Sequence, residues 1–168
     1  NFIFVGGSQL QNSVDETVVH ITQLTTIPVV LFPGNAFQLT NKADALLLLS
    51  LISGRNAEWL IGQHVQAAKA IQQSALETIS TGYILIDGGN TTAVERVSKT
   101  KPLQRDAIDE VVSTALAGQL LGHKLIYLEA GSGAQNPVPT ALIKAVKTAI
   151  DIPLIVGGGI KTTEQLTL

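Results

Sequence analysis

Six short apolar segments recur along this chain, and each is followed shortly afterwards by a glycine. The segments are Phe2–Val5, Ile27–Phe32, Ala45–Ile52, Tyr83–Ile86, Lys124–Leu128 and Ile152–Val156, and the glycines are Gly6, Gly34, Gly54, Gly88, Gly131 and Gly157. Continuous apolar runs of this length are typical of strands buried on both faces of a parallel sheet. Most are separated by segments with helical apolar spacing, so the pattern predicts an α/β fold of six β-units.

The helices between these strands are predicted from their apolar faces and their end signals. The first has an apolar face of Val14, Val18 and Ile21 and begins with a capping box, Ser13 with Glu16. The later end signals are Asn56 and Asp106 as N-caps, Gly122 as a terminator, Pro139 in a first turn, and Thr162 with Gln165 at a further start. The later buried faces are Ile108, Val111, Val112, Ala115 and Leu116, then Leu142, Ile143 and Val146.

Glycines at the carboxyl ends of all six strands indicate an active-site rim, in an open doubly wound sheet or in a barrel. We favour the barrel, of the (β/α)8 TIM type. A complete barrel has eight units and roughly 250 residues. We therefore expect residues 1–168 to form a single barrel domain that is incomplete at both ends, with its first unit before Asn1 and its last after Leu168. The link between the second and third strands is too short for more than about a turn of helix.

Composition narrows the functional classes. Apolar residues make up 45% of the 168 residues, charged residues 14%, and the net charge is −2, which gives no support to nucleic-acid binding. The absence of cysteine excludes disulfides, thiol catalysis and cysteine-based zinc sites. No apolar run approaches the ~20 residues of a membrane span, and no signal peptide is visible. We therefore expect a cytoplasmic protein.

The segment Leu125–Ala134, LIYLEAGSGA, carries the strongest candidate site. Alternation along a strand places Tyr127 and Glu129 on one face, just before a turn rich in glycine. Gly131 and Gly133 lack a Cβ, so their N–H groups can approach an anion closely, and Ser132 adds a hydroxyl.

A second turn of the same kind, Gly157-Gly158-Gly159, follows the next strand and precedes a predicted helix start. Helix N-termini favour anions, and phosphate commonly binds in barrels after the seventh and eighth strands. The two turns together are predicted to hold one phosphate group. The alternative for any single glycine is an ordinary tight turn.

Glu129 is the candidate catalytic residue. A buried carboxylate must be solvated, paired or used in chemistry. Glu129 could bind a substrate hydroxyl or act as a base, and structural pairing is the alternative. Tyr127 is either a substrate contact or a packing residue.

Other polar residues near strand ends give weaker signals. Arg55 could bind an anion or form an ion pair at the rim, where Asp87 also lies. The loop Ser98–Arg105 carries Lys99, Lys101 and Arg105, either as a solvated face or as a diphosphate contact. His20, His64 and His123 receive no role, because nothing places them together. Ser8 could ligate a Mg²⁺ held on phosphate oxygens.

Five segments together resemble the geranylgeranylglyceryl phosphate synthase family, and the resemblance extends over essentially the whole chain. They are FVGGS (4–8), SLISGRN (50–56), TGYILIDGG (81–89), LIYLEAGSGA (125–134) and IPLIVGGGI (152–160). YLEAGSGA is quite specific, and the others are individually weak but occur in the expected order. The resemblance implies a modified TIM barrel that uses Mg²⁺ and joins a polyprenyl group from its diphosphate to the 3-hydroxyl of sn-glycerol 1-phosphate.

The resemblance also implies roles for individual residues. Glycerol phosphate would be held by Tyr127, Leu128, Glu129, Ala130, Gly131, Ser132 and Gly133, and its phosphate by Gly157, Gly158 and Gly159. Glu129 would contact the glycerol hydroxyls and could act as base, and Ser8 would help to bind Mg²⁺. The family's first strand, with an Asp metal ligand, and its last strand, with a Gly-Asn phosphate contact, have no counterpart in the chain.

The AGSGA turn favours a geranylgeranyl donor over the heptaprenyl donor of the related bacterial enzymes. The resemblance further implies a homo-oligomer, a dimer or a hexamer, with peripheral membrane contact. Two alternatives stay open from the residues. One is another phosphate-binding barrel, an isomerase or synthase acting on a ribulose or indole phosphate. The other is a binding module for a phosphate ligand that has lost its chemistry.

Overall fold

A computed structural model describes residues 1–7, 14–35 and 38–166. It divides the chain into two compact units, Asn1–Leu49 with Ile61–Ile79, and Ser50–Leu60 with Ser80–Leu168. The predicted metal ligand Ser8 and the capping residue Ser13 lie outside the described residues. The prediction of one domain over the whole chain stays a prediction.

The first unit is built on parallel strands. Its elements are β1 (Ile3–Gly7), α1 (Val14–Leu24), β2 (Val29–Pro33), β3 (Ala45–Leu51, which ends in the second unit) and α2 (Gln63–Ser74). β1 pairs with β2 in parallel, and β2 pairs with β3 in parallel. Between Pro33 and Ala45 the described residues form no helix, as the short link predicted.

The core of the first unit lies where α1 packs on the strands. Val18 of α1 is fully buried together with Val29 and Leu31 of β2, and Val14 and Ile21 pack against them. The predicted apolar face of α1 is therefore confirmed. A π-helical turn, Glu58–Gly62, precedes α2, and the Asn56 side chain accepts a hydrogen bond from the Glu58 N–H at 3.1 Å.

The second unit repeats the β-then-α order. Its elements are β4 (Glu77–Leu85, which begins in the first unit), α3 (Ala93–Ser98), α4 (Ile108–Leu120), β5 (Leu125–Glu129), α5 (Thr140–Ala149), β6 (Leu154–Gly157) and a short 3₁₀ helix (Thr163–Leu166). β4, β5 and β6 pair in parallel and in chain order. The parallel α/β arrangement that the apolar runs predicted is confirmed.

One face of β5 forms the core of this unit with α4 and α5. Ile126 and Leu128 are fully buried, as are Val111 of α4 and Leu142 of α5. Full burial of an apolar side chain of this size contributes roughly 1.5–3 kcal/mol to the stability of the fold. It fixes which face of β5 turns toward the helices and leaves Tyr127 and Glu129 on the other.

Several helix ends differ from the sequence prediction. The structure contains α3 inside a segment that the pattern left as a loop, and the Thr92 hydroxyl caps it by accepting from the Glu95 N–H at 3.1 Å. Asp106 is not the N-cap of α4: Ala107 occupies that position and makes no side-chain cap. Ile108, predicted inward, is 36% exposed because the helix begins there.

Of the other end signals, the one at Gly122 is confirmed. Gly122 follows α4 with a φ of +94°, which only glycine adopts readily, and its N–H donates to the Gln119 carbonyl. Pro139, expected in the first turn of α5, is instead its N-cap, one residue before that turn. Thr162, expected to start a further helix, precedes only a short 3₁₀ turn. Within the residues that the structure describes, no helix has both the length and the apolar character needed to cross a membrane.

Leu142→Ala tests the packing that orients β5. Leu142 is fully buried, so truncation should leave a cavity and lower the free energy of unfolding by about 2–5 kcal/mol in urea denaturation. The matched control is Leu120→Ala, also in a helix but 84% exposed, which should change it by less than about 0.5 kcal/mol. Equal effects of the two substitutions would contradict the assignment of this core.

Candidate active site

β5 presents two chemically different faces. Ile126, Leu128 and Ala130 are fully buried in the core against the helices. Tyr127 and Glu129 lie on the opposite face, where the Tyr127 hydroxyl donates a hydrogen bond to Glu129 Oε2. The predicted alternation of side chains between the two faces of β5 is therefore confirmed.

The Glu129 carboxyl has a partner on each oxygen. Oε2 accepts from Tyr127, and Oε1 accepts from the backbone N–H of Gly131 at 2.6 Å. Only 7% of the residue is exposed. Because both oxygens are engaged, the carboxyl plane has a defined orientation relative to the turn that begins at Gly131.

Burial raises the pKa of Glu129 to about 7, against a smaller lowering by the Gly131 N–H. Removal from water penalises the charged carboxylate, whereas a hydrogen bond to it favours that form. A carboxyl with a pKa near neutrality can gain or lose a proton under ordinary conditions, as general acids and bases require.

β6 approaches this pair closely because it ends in glycine. Gly157 is the register partner of Glu129, and its carbonyl accepts from the Ala130 N–H at 3.0 Å. A Cβ on Gly157 would overlap the Tyr127 hydroxyl and lie 2.6 Å from Glu129 Oε2. Any larger residue at this position would have to displace the Tyr127–Glu129 pair.

The two glycine turns meet at Gly158. Its φ is +81°, and a Cβ there would lie 2.5 Å from the Gly131 nitrogen and 2.6 Å from Glu129 Oε1. Gly159, with a φ of +70°, approaches the Asn136 carbonyl in the same way. The structure thus brings the turns at 131–133 and 157–159 together beside the Glu129 carboxyl.

The first turn is held by further close contacts. A Cβ on Gly131 would overlap the Thr92 methyl group, and one on Gly88 would overlap the Ala130 carbonyl. Ser132 and Gly133 are exposed, and the space around the Gly133 Cα is open. Successive glycines in left-handed conformation present backbone N–H groups that can bind an anion.

The remaining predicted ligand residues divide into two kinds. The side chains of Leu128 and Ala130 belong to the helix-side core, so only their backbones can face a ligand at this site. Ser132 keeps its hydroxyl exposed next to the glycines. The roles assigned to all of these residues stay predictions.

The weaker candidates are mostly engaged elsewhere. The Arg55 guanidinium donates to the Ile52 and Gly54 carbonyls at 3.3 and 2.7 Å, within its own loop. Asp87 Oδ1 accepts from the Gly89 N–H at 2.8 Å, and Arg105 donates to the Asp87 backbone carbonyl at 3.1 Å. Lys99 and Lys101 are exposed. Each of these hydrogen bonds is made with a backbone group and not with another of the candidate side chains.

The three histidines, which receive no role from the sequence, lie in separate local surroundings. His20 is exposed, a His64 ring nitrogen lies 2.8 Å from the Leu49 carbonyl, and His123 lies 2.9 Å from the Ser80 hydroxyl. In residues 1–7, 14–35 and 38–166, no group of three or more His, Asp or Glu is placed to hold a metal ion.

Sequence reasoning missed two side chains next to the site. Tyr83 of β4 is the register partner of Tyr127, and their rings pack edge to face with centroids 5.2 Å apart. Thr92 packs on Gly131 while capping α3. Aligning the carboxyl ends of the fourth and fifth strands, GYIL and IYLE, would have indicated Tyr83. Nothing in the sequence pattern pointed to Thr92.

The chain is similar in sequence to curated proteins that share one name. The chain is 56% identical over 165 residues to the geranylgeranylglyceryl phosphate synthase of Zunongwangia profunda, covering 98% of the chain and 70% of that protein. It is 40% identical over 168 residues to the enzyme of the same name from Pyrococcus abyssi, covering 99% of the chain and 66% of that protein. The chain thus spans about two thirds of the length of these curated relatives.

The chain is also similar to solved structures of proteins with the same name. The crystal structure of (S)-3-O-geranylgeranylglyceryl phosphate synthase from Thermoplasma acidophilum, in complex with substrate sn-glycerol-1-phosphate, matches with a TM-score of 0.91 at 39% identity, over 98% of this chain and 66% of that one. Wild-type GGGPS from Thermoplasma volcanium matches with a TM-score of 0.90 at 39% identity, over 97% of this chain and 66% of that one. The sequence profile described as the PcrB family matches residues 1–167. The chain therefore belongs to the PcrB family.

Proposed function

We propose that this chain carries the acceptor site of a prenyltransferase. The reaction joins the geranylgeranyl group of its diphosphate to the 3-hydroxyl of sn-glycerol 1-phosphate, giving geranylgeranylglyceryl phosphate and diphosphate. The activity is proposed for the whole protein, because the chain spans about two thirds of its relatives. Support comes from the relatives' names and from the Thermoplasma acidophilum complex with sn-glycerol-1-phosphate.

The observation that carries the proposal is the contact of Gly158 with Gly131 beside the buried Glu129 carboxyl. Two glycine-rich turns can surround one phosphate, since backbone N–H groups of such turns can donate to its oxygens. The Gly131 N–H already donates to Glu129, so the phosphate would take its hydrogen bonds from other N–H groups of the two turns. A carboxyl at the edge of that turn pair lies within reach of a hydroxyl on the same small molecule. Glycerol 1-phosphate has this combination of groups.

In the proposed reaction, Glu129 acts as the base. Ionised Glu129 takes the proton of the 3-hydroxyl while that oxygen attacks the first carbon of the prenyl chain. The new carbon–oxygen bond forms as the bond from that carbon to the diphosphate oxygen breaks, and diphosphate leaves with the electron pair. Tyr127 and the Gly131 N–H orient the carboxylate, and burial raises its basicity.

Magnesium is proposed as the cofactor, with Ser8 as one ligand. When bound, it would neutralise charge on the leaving diphosphate. The described residues contain no cluster of acidic or histidine side chains placed to hold a metal ion, so they do not by themselves make a magnesium site.

We also propose that the parallel strands belong to a modified (β/α)8 barrel and that the protein is a homo-oligomer. The structural likeness to the two Thermoplasma enzymes supports the barrel. The oligomer is inferred from family resemblance. Light scattering on the full-length protein tests it, and a monomer would contradict it.

The activity is tested with labelled geranylgeranyl diphosphate, sn-glycerol 1-phosphate and Mg²⁺, using the full-length protein. We expect an ether product, and much less product with the enantiomer sn-glycerol 3-phosphate as the matched acceptor control. Failure to form any ether product would refute the prenyltransferase. Binding of glycerol phosphate without turnover would instead support a binding module.

Glu129→Gln should lower kcat by about 10²–10⁴-fold, because it removes the base while keeping the shape of the side chain. In the wild-type protein, kcat/KM should fall as the pH drops through about 7, where Glu129 becomes protonated. The residual activity of Glu129→Gln should lack this acidic limb. An unchanged kcat, or the same acidic limb in the variant, would remove Glu129 from the mechanism.

The raised pKa of Glu129 also predicts how stability depends on pH. The folded value of about 7 lies above the ordinary value of 4.5, so the folded state holds the proton more tightly. Its contribution is therefore complete below the unfolded pKa and is lost as the pH rises through about 7. From pH 5 to pH 8, wild type should lose up to about 3 kcal/mol relative to Glu129→Gln in urea denaturation. Parallel pH profiles would contradict burial of the charge.

Gly158→Ala tests whether the turns together bind phosphate. The new methyl group would collide with the Gly131 nitrogen and separate the turns, so KM for glycerol 1-phosphate should rise at least about tenfold. Gly122→Ala is the matched control, since its φ of +94° gives similar backbone strain but nothing lies within 4 Å of the added carbon. Its KM should be that of wild type, although Gly122→Ala also loses stability from backbone strain. An unchanged KM in Gly158→Ala would contradict the phosphate site.

A further inference from the structure

We propose that Tyr83 is a positioning residue for Glu129. Its ring holds the ring of Tyr127, and so keeps the Tyr127 hydroxyl in the orientation that donates to the Glu129 carboxyl. Where it concerns turnover, this inference rests on the proposed function. Where it concerns the state of Glu129, it stands on the geometry alone.

Strand register brings the two rings together. β4 and β5 are parallel, and Tyr83 pairs directly with Tyr127, so both side chains leave the same face of the sheet. Their ring centroids are 5.2 Å apart and their planes meet at 88°. This is the edge-to-face arrangement that aromatic pairs prefer.

Tyr127 is confined from two sides. On the β4 side it meets Tyr83, which is only 4% exposed. On the β6 side the Gly157 Cα lies so close that an added Cβ would overlap the Tyr127 hydroxyl. The tyrosine ring on the middle strand is therefore packed between its neighbours on both adjacent strands. Removing the Tyr83 ring would free one of these two sides.

The orientation of Tyr127 matters because Glu129 Oε2 takes its hydrogen bond from that hydroxyl. A hydrogen bond to the ionised carboxylate favours the charged form and opposes the effect of burial. When Tyr127 is free to turn, this bond is made for less of the time. Glu129 should then hold its proton to a higher pH, and the carboxylate should be less well oriented toward its substrate.

The Tyr83 phenol stays protonated and neutral near neutral pH. Burial, and to a smaller extent the negative charge of Glu129, hold the pKa of Tyr83 well above its ordinary value of 10.0. The Tyr127 phenol donates a hydrogen bond to the Glu129 carboxyl, and the charge of that carboxyl also acts on the Tyr83 phenol. Tyr83 can therefore act through its ring without adding a second charge.

The test compares Tyr83→Leu, which removes the ring, with Tyr83→Phe, which retains it. Tyr83→Leu should lower kcat roughly tenfold with a smaller change in KM for glycerol 1-phosphate, because the glycine turns are untouched. Its acidic limb should move up by about half a pH unit or more. Tyr83→Phe should recover most of the turnover and restore the limb.

Ile84→Ala serves as the control for lost packing. Ile84 is fully buried on the same strand but belongs to the helix-side core. It should lower stability at least as much as Tyr83→Leu without moving the acidic limb. If Ile84→Ala moves the limb equally, Tyr83 has only a general structural role and the inference is overturned.

A double-mutant cycle tests whether Tyr83 acts through Tyr127. In a Tyr127→Phe background the hydroxyl is absent, so adding Tyr83→Leu should change neither kcat nor the acidic limb further. Additive effects in the two backgrounds would overturn the inference.

The pKa of Glu129 is also measured directly, by NMR titration of its ¹³C-labelled carboxyl, in all four members of the cycle. This readout needs no turnover, so an inactive wild-type protein would refute the proposed function while leaving the inference on Tyr83 testable. An upward shift in Tyr83→Leu that disappears in the Tyr127→Phe background supports it. Identical titrations in wild type and Tyr83→Leu would refute it.

Discussion

The described site depends on one constraint, the burial of a carboxyl group at the end of β5. Glu129 is 7% exposed, and such a group is costly unless both its oxygens have partners. The structure provides them from Tyr127 on the same strand and from the backbone of Gly131. These partners orient the carboxyl, while burial raises its pKa to about 7, and orientation and a pKa near neutrality are two properties that a base needs.

The glycines serve packing and chemistry at once. A Cβ on Gly157 or Gly158 would collide with Tyr127, Glu129 or Gly131, so the strands and turns could not approach as they do. The same lack of side chains lets an anion approach the backbone of glycine turns closely. Packing therefore requires glycine at positions 157 and 158 before any ligand is considered, and the proposed phosphate site would use a shape that this packing has already produced.

Much of this could be predicted from the chain alone. The apolar runs indicated parallel strands, alternation separated the Tyr127–Glu129 face from the Leu128 face, and YLEAGSGA indicated the family to which the chain belongs. Local end signals were less reliable. Thr92 caps a helix that the pattern did not predict, and Asp106 caps none, because a capping side chain works only where tertiary packing starts the helix.

The sequence by itself determined local features, namely which residues alternate on a strand and where glycine allows a positive φ. Its lack of cysteine also excluded thiol chemistry. Only the tertiary structure decided that Gly158 lies against Gly131, that Tyr83 packs on Tyr127, and that the pKa of Glu129 is about 7. These depend on register between strands far apart in the chain and on exclusion of water. Distances across a sheet and solvent access arise from packing, and no pattern of neighbouring residues contains them.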